Sequence, residues 1–174
     1  MRTLFANGWV VTMDDAGTEH PHGWVLVEDD AIAAVGGGEE PRRDDVERVD
    51  LGGAVVAPGL VNTHHHLCQT LTRARAQQAD LFTWLRELYP VWAGLDAEAE
   101  YAAARTGLAE LALSGCSTVF DHHYVFPRGQ DGIVEAEVGA ARELGVRIVA
   151  SRSPPRRRGP GRRSPARASS RRGR

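Results

Sequence analysis

The chain has 174 residues, of which 42% are hydrophobic and 25% charged, enough for one ordinary domain with a core. No run approaches the roughly 20 consecutive apolar residues that span a bilayer, the first residues lack an apolar stretch followed by a cleavage site, and the two cysteines, Cys68 and Cys116, rule out a disulfide scaffold. A cytoplasmic protein with reduced thiols is expected. The charge is split. Residues 1–151 carry all 23 acids and 11 of the 21 arginines, whereas residues 152–174 carry 10 arginines and no acid. Such asymmetry points to two pieces of different origin or different task.

Residues 3–13 read as a strand interrupted at Asn7-Gly8. Residues 23–37 read as a hairpin, with Trp24–Val27 and Ala31–Val35 as its arms and Glu28-Asp29-Asp30 as its turn. Residues 38–48, polar and containing Pro41, form a surface loop. These segments make up a small β-domain over residues 1–55.

The pattern then changes. Ala54–Val61 is an apolar run suited to a strand buried on both faces, and it ends at Asn62-Thr63-His64-His65-His66. Residues 80–94 predict a helix that Pro90 kinks or ends. Residues 97–114 predict a second helix, with Asp96 as N-cap, Leu108, Leu111 and Ala112 on one face, and Gly115 after its end. Cys116–Phe120 is the next strand and runs into Asp121-His122-His123. A helix over 132–144 closed by Gly145 and a strand over 146–150 follow. Strands alternating with helices imply parallel strands with right-handed crossovers, whose carboxyl ends gather the active site. Both histidine clusters fall at such ends.

His64 and His66 are two residues apart, so on a strand both imidazoles face one point and can share a divalent metal at about 2.0–2.1 Å, with His65 facing away. The alternative is a polar loop after a strand. Asp121-His122-His123 offers a substrate-binding group or one that orients a ligand, or else a solvated loop, and spacing does not separate His122 from His123. Gln69 could pair with a polar ring edge or simply be solvated. Trp84, Tyr89 and Trp92 read as packing, as does Cys68.

The stretch Pro58-Gly59-Leu60-Val61-Asn62-Thr63-His64-His65-His66, preceded by Val49-Asp50-Leu51-Gly52-Gly53 and Val56-Ala57-Pro58-Gly59, resembles the amidohydrolase superfamily, whose first barrel strand ends in His-x-His. His64–Arg73, Leu81–Leu85, Leu88–Trp92 and Gly115–Tyr124 are similar to the 8-oxoguanine deaminase and hydroxyatrazine aminohydrolase group. The resemblance covers about residues 1–151. It implies an α/β fold: the first three or so βα units of a (β/α)8 barrel over residues 56–151, preceded by a small β-sandwich-like domain. It implies one zinc per complete subunit, with His64 and His66 as its first two ligands. That zinc lowers the pKa of a water to near 7 and so supplies the nucleophile that displaces ammonia from a purine or triazine ring. Gln69, His122 and His123 become substrate-binding candidates, with Gln69 at a position where guanine deaminases read the base. The partner is a small ring amine such as 8-oxoguanine, and complete family members are expected to form homo-oligomers.

The family's remaining ligands, two further histidines and an Asp, and its proton-shuttling Glu have no counterpart here, so the chain is expected to be an incomplete, inactive fragment. Residues 152–174, all Arg, Ser, Pro, Gly or Ala, are expected to be disordered and to derive from a shifted reading frame. The rival reading is an arm that binds nucleic acid through its arginines, or a fragment that associates with a full-length relative.

Overall fold

A computed structural model describes residues 1–152; the arginine-rich tail expected to be disordered lies outside the described residues, apart from Arg152. The elements, in chain order, are β1 (Arg2–Val11), β2 (Glu19–Glu28), β3 (Ala31–Gly37), β4 (Glu47–Asp50), β5 (Val55–Val56), β6 (Leu60–His65), a 3-10 helix over Leu67–Thr72, α1 (Leu81–Trp92), α2 (Ala97–Leu113), β7 (Cys116–His123), α3 (Ile133–Leu144) and β8 (Arg147–Arg152). They fall into two compact units, Met1–Asn62 with Leu111–Thr118, and Thr63–Glu110 with the described residues from Val119 onward.

The first unit is built on one mixed sheet, order β3-β2-β1-β4, with β5 also pairing β1. A small β-sandwich-like domain was the expectation; among the described residues, β1 to β5 form one five-stranded sheet. β1 pairs antiparallel with β2 (Leu4↔Leu26) and parallel with β4 (Phe5↔Val49) and β5 (Trp9↔Val55). Alternation along β1 buries Leu4, Ala6, Gly8 and Val10, and Leu4, Ala6 and Leu26 pack with Trp24, Ala34 and Val46. The expected break at Asn7-Gly8 is a register shift within a continuous strand. Asn7 takes φ 57°, a conformation Asn tolerates better than most residues, and its Nδ2 donates to Asp50 Oδ1 at 2.9 Å. A Cβ at Gly8 would lie 2.7 Å from Leu51 Cδ1 and 3.1 Å from Ala54 O, so Leu51 would have to shift to admit one. The loop predicted over 38–48 gives way at Glu47 to β4.

The second sheet has the order β6-β7-β8. Leu60 N donates to Gly115 O at 2.9 Å, and His66 Nδ1 lies 2.7 Å from His122 O, so β6 and β7 run in the same direction, as the alternation of strands and helices predicts. The apolar run 54–61 does not form one doubly buried strand. It is split at Ala57-Pro58-Gly59 between β5 and β6, and Leu60 and Val61 remain 62% and 61% exposed. Pro58 lacks the N–H that a continuous ladder needs.

In the second unit, Asp80 caps α1 by accepting from Thr83 N at 2.8 Å, worth about 1 kcal/mol. Pro90 sits inside α1 without ending it; the helix runs on to Trp92. Asp96 accepts from Ala99 N at 2.8 Å and Gly115 follows at φ 86°, the start and stop expected for α2. Its buried face differs from expectation. Glu100, Ala103, Ala104, Gly107 and Leu108 are buried, whereas Ala112 is exposed and Leu111 only half-buried. Cys68, Leu88, Trp92, Leu95, Val125 and Ile133 form the core. A side chain such as Leu88, fully buried, contributes roughly 1.5–3 kcal/mol.

Candidate active site

The end of β6 delivers His64, His65 and His66, and alternation sends the first and third to one side. Their Nε2 atoms stand 3.3 Å apart. His66 Nδ1, 2.7 Å from the His122 carbonyl oxygen, must carry the proton, because a carbonyl only accepts. In the neutral ring His66 Nε2 then carries the lone pair, directed at His64 Nε2. A ligand histidine whose other nitrogen donates to a backbone carbonyl is the usual arrangement around a metal. Two nitrogens at about 2.0–2.1 Å from one tetrahedral ion would be separated by roughly 3.4 Å, so the pair fits such an ion. His65 points elsewhere and lies against α2 at Gly107, where a Cβ would come within 2.9 Å of Leu67 Cδ2 and Thr70 Oγ1.

The end of β7 delivers Asp121, His122 and His123, and here alternation splits neighbours. His122 lies, half-buried, on the side of His64 and His66. Its ring centroid is 4.6 Å from that of His64 and 6.1 Å from that of His66, and its Nε2 donates to Thr63 O at 3.2 Å. His123 faces inward and is fully buried, with Nε2 donating to Val125 O at 2.7 Å. In this structure the His123 ring therefore reaches no solvent-accessible surface, which leaves the other expectation, a group that orients its neighbours. Asp121, also buried, accepts from Leu67 N through Oδ1 at 2.7 Å, which fixes the backbone immediately after His66.

Gln69 lies on the 3-10 helix, with its Nε2 donating to Tyr124 Oη at 2.7 Å. Tyr124 also presents its ring edge-on to His66, centroids 4.9 Å apart. Burial pushes its hydroxyl up to about 12, so it stays protonated and can donate onward. Sequence reasoning assigned no role to Tyr124; its place one residue past the histidines at the end of β7 was the available signal. A cleft of about 310 Å³ opens beside these groups, lined by His64, His66, Gln69, Thr72, Arg73 and Trp84 among others. Trp92, read as packing, is buried and donates from Nε1 to Thr72 Oγ1 at 3.1 Å. Cys68 is buried beside it, and burial raises its thiol pKa so far that no thiolate nucleophile forms.

A second cluster lies behind this one. Glu100 on α2, Glu137 on α3, and Asp121 and His123 on β7 are all fully buried. Burial raises the carboxyl of Glu100 to about 9 and that of Glu137 to about 8, each reinforced by neighbouring carboxylates. Burial also raises Asp121 and lowers His123. Sequence reasoning missed Glu100 and Glu137.

Comparison with known proteins places these features in a family. Residues 55–173 match the Amidohydrolase family. The chain is 47% identical over 133 residues to the 8-oxoguanine deaminase of Pseudomonas aeruginosa, covering 75% of this chain and 30% of that protein. It is 38% identical over 170 residues to the hydroxydechloroatrazine ethylaminohydrolase of Pseudomonas sp. strain ADP, covering 87% and 35%. Among solved structures it resembles atrazine chlorohydrolase TrzN of Arthrobacter aurescens TC1 complexed with zinc, with TM-score 0.76, 30% identity, and coverage of 86% of this chain and 35% of that one. A mutant of that enzyme complexed with zinc and atraton gives TM-score 0.78 at 31% identity. The chain thus spans about a third of the length of the relatives it matches. No helix among the described residues is long and apolar enough to cross a membrane. With a family match over more than half its length, and with relatives that are hydrolases acting on C–N bonds, this chain belongs to the amidohydrolase family.

Proposed function

We propose that this chain carries the opening part of the active site of a zinc-dependent hydrolytic deaminase acting on a purine or triazine ring amine, 8-oxoguanine foremost. The observation that carries the reading is the His64–His66 pair, with two ring nitrogens 3.3 Å apart and the tautomer of one fixed by the His122 carbonyl. Zinc, when bound there, supplies a Lewis acid that makes water nucleophilic near neutral pH.

The chain's own residues orient and bind. Asp121 anchors the turn after His66 through the Leu67 amide. Gln69 and Tyr124 form a linked donor–acceptor pair beside the cleft, suited to the N–H and C=O edge of a lactam ring. His122 reaches the same side. The substrate class rests on the 47% identity to the 8-oxoguanine deaminase and on these polar groups.

The test joins residues 1–151 to the remaining two-thirds of the Pseudomonas aeruginosa 8-oxoguanine deaminase and measures ammonia release from 8-oxoguanine. Turnover that falls to background on His64→Ala or His66→Ala is the expected result. Turnover that survives both changes would contradict the assignment. The 174-residue chain alone, holding only two ligands of the set, is expected to release no ammonia.

A further inference from the structure

In the cluster behind the active site, the His123 imidazole faces three buried carboxyl groups. His123 Nε2 donates to Val125 O at 2.7 Å, so in the neutral ring Nδ1 is a bare lone pair. It faces Glu100 Oε1 at 3.7 Å, Asp121 Oδ2 at 3.8 Å and Glu137 Oε2 at 3.8 Å. None of these contacts is short enough for a hydrogen bond. His123 Nδ1, Asp121 Oδ2 and both carboxylate oxygens of Glu100 and of Glu137 are buried without a hydrogen-bond partner. Three carboxyl groups from three elements therefore surround His123 Nδ1, sealed from water. Ionised carboxylates would cost several kcal/mol each here, so without a cation burial keeps Glu100 and Glu137 protonated.

We propose that Glu100, Asp121, His123 and Glu137 form a second, buried site for a divalent transition-metal ion, distinct from the His64–His66 pair. One observation independent of the acidic cluster and two drawn from its geometry support it. The imidazole presents its free nitrogen inward while its other nitrogen is pinned by a backbone carbonyl, the arrangement that orients a ligand histidine. The 3.7–3.8 Å separations from Nδ1 slightly exceed the roughly 3.4 Å edge of a tetrahedral shell with bonds of about 2.0–2.1 Å, so a small movement brings each carboxylate oxygen to ligand spacing from the imidazole. The donors also come in sets, Asp121–His123–Glu137 and Cys68–Glu100–His123, each mutually within 4.8 Å. One imidazole nitrogen with carboxylate oxygens suits Zn2+, Co2+ or Mn2+ rather than Mg2+ or Ca2+.

Binding exchanges a cation for protons. As the metal–oxygen bonds form, the protons that neutralise Glu100 and Glu137 leave to solvent, about two per ion, and the buried charge is unchanged. All four side chains are fully buried, so the ion is captured as the chain folds and released slowly afterwards. It would tie β7 to α2 and α3 and, through Asp121 and the Leu67 amide, brace the turn that carries His66.

The test uses the full 174-residue chain, unfolded with a chelator, refolded with Co2+ and desalted through EDTA. The His64→Ala/His66→Ala chain is expected to keep one cobalt per chain, and adding His123→Gln is expected to remove it with the circular dichroism unchanged. Should the His123→Gln chain not refold, Glu100→Gln on the same background is expected to weaken cobalt binding about tenfold or more. A His64→Ala/His66→Ala chain that keeps no cobalt would overturn the proposal. So would cobalt that persists after His123→Gln, or at full affinity after Glu100→Gln.

Discussion

Two histidines, adjacent in the chain, live in opposite environments. His122 is half-buried beside the imidazoles at the end of β6, with its ring 4.6 Å from that of His64. His123 is fully buried against three carboxylates. The pleat of β7 alone makes this division, since successive side chains point to opposite faces. One strand end thus serves a solvent-facing site and an internal one, and Asp121 joins them through its bond to the Leu67 amide. A polar cluster at a strand end need not act as one site, because its members are sorted by parity before chemistry is considered.

The largest effect that can break this comparison is on stability. His123→Ala empties a fully buried ring position and should cost about 2–5 kcal/mol in denaturant unfolding, whereas His122→Ala, which loses one hydrogen bond to Thr63 O, should cost about 0.5–1.5 kcal/mol. Equal costs would mean that the two environments are not distinct.

A pH titration separates protons from a cation as the means of neutralising the inner cluster. In metal-free protein, burial raises Glu100 to about 9 and Glu137 to about 8. The folded state therefore holds protons that the unfolded chain has released, and stability should be full below about pH 4 and decline as pH rises through 8 and 9. Protein refolded with Co2+ should lose this decline. Thermal melts at intervals from pH 5 to 9, with and without cobalt, measure both, and identical curves would count against cation capture.

Asp121→Ala should cost about 1–3 kcal/mol for the orphaned Leu67 amide and weaken zinc at the outer pair about 10–100-fold, an effect readable in a chelator competition. Zinc affinity left unchanged would show that the turn after His66 needs no brace. The smallest effect is Tyr124→Phe. Removing the acceptor for Gln69 should cost about 0.5–1.5 kcal/mol, and in the chimera it should raise KM for the ring amine more than it lowers kcat. A fall confined to kcat would place Tyr124 in the chemistry instead of in binding.

Much of this was legible in the sequence. Asp96 and Gly115 mark the ends of α2, Asp80 marks the start of α1, and His-x-His after an apolar run marks the strand end. The parity rule applied to Val119, Asp121 and His123 would have put all three on one buried face and separated His122. Glu100, three and four residues before Ala103 and Ala104, and Glu137, four after Ile133, occupy the buried stripes of α2 and α3. An acid on an otherwise small or apolar stripe was the missed sign. The 3-10 helix at Leu67–Thr72 was not legible, because Gln69 finds its partner Tyr124 fifty-five positions away. The split of the run 54–61 was obscured by hydrophobicity, although Pro58 marked it.

The most direct measurement is the zinc that a fast chromophoric chelator removes from the full chain within seconds. The wild-type chain should yield one such ion, and His64→Ala or His66→Ala should leave none. The same rapid yield of zinc from all three proteins would contradict the assignment of these two ring nitrogens to a shared metal.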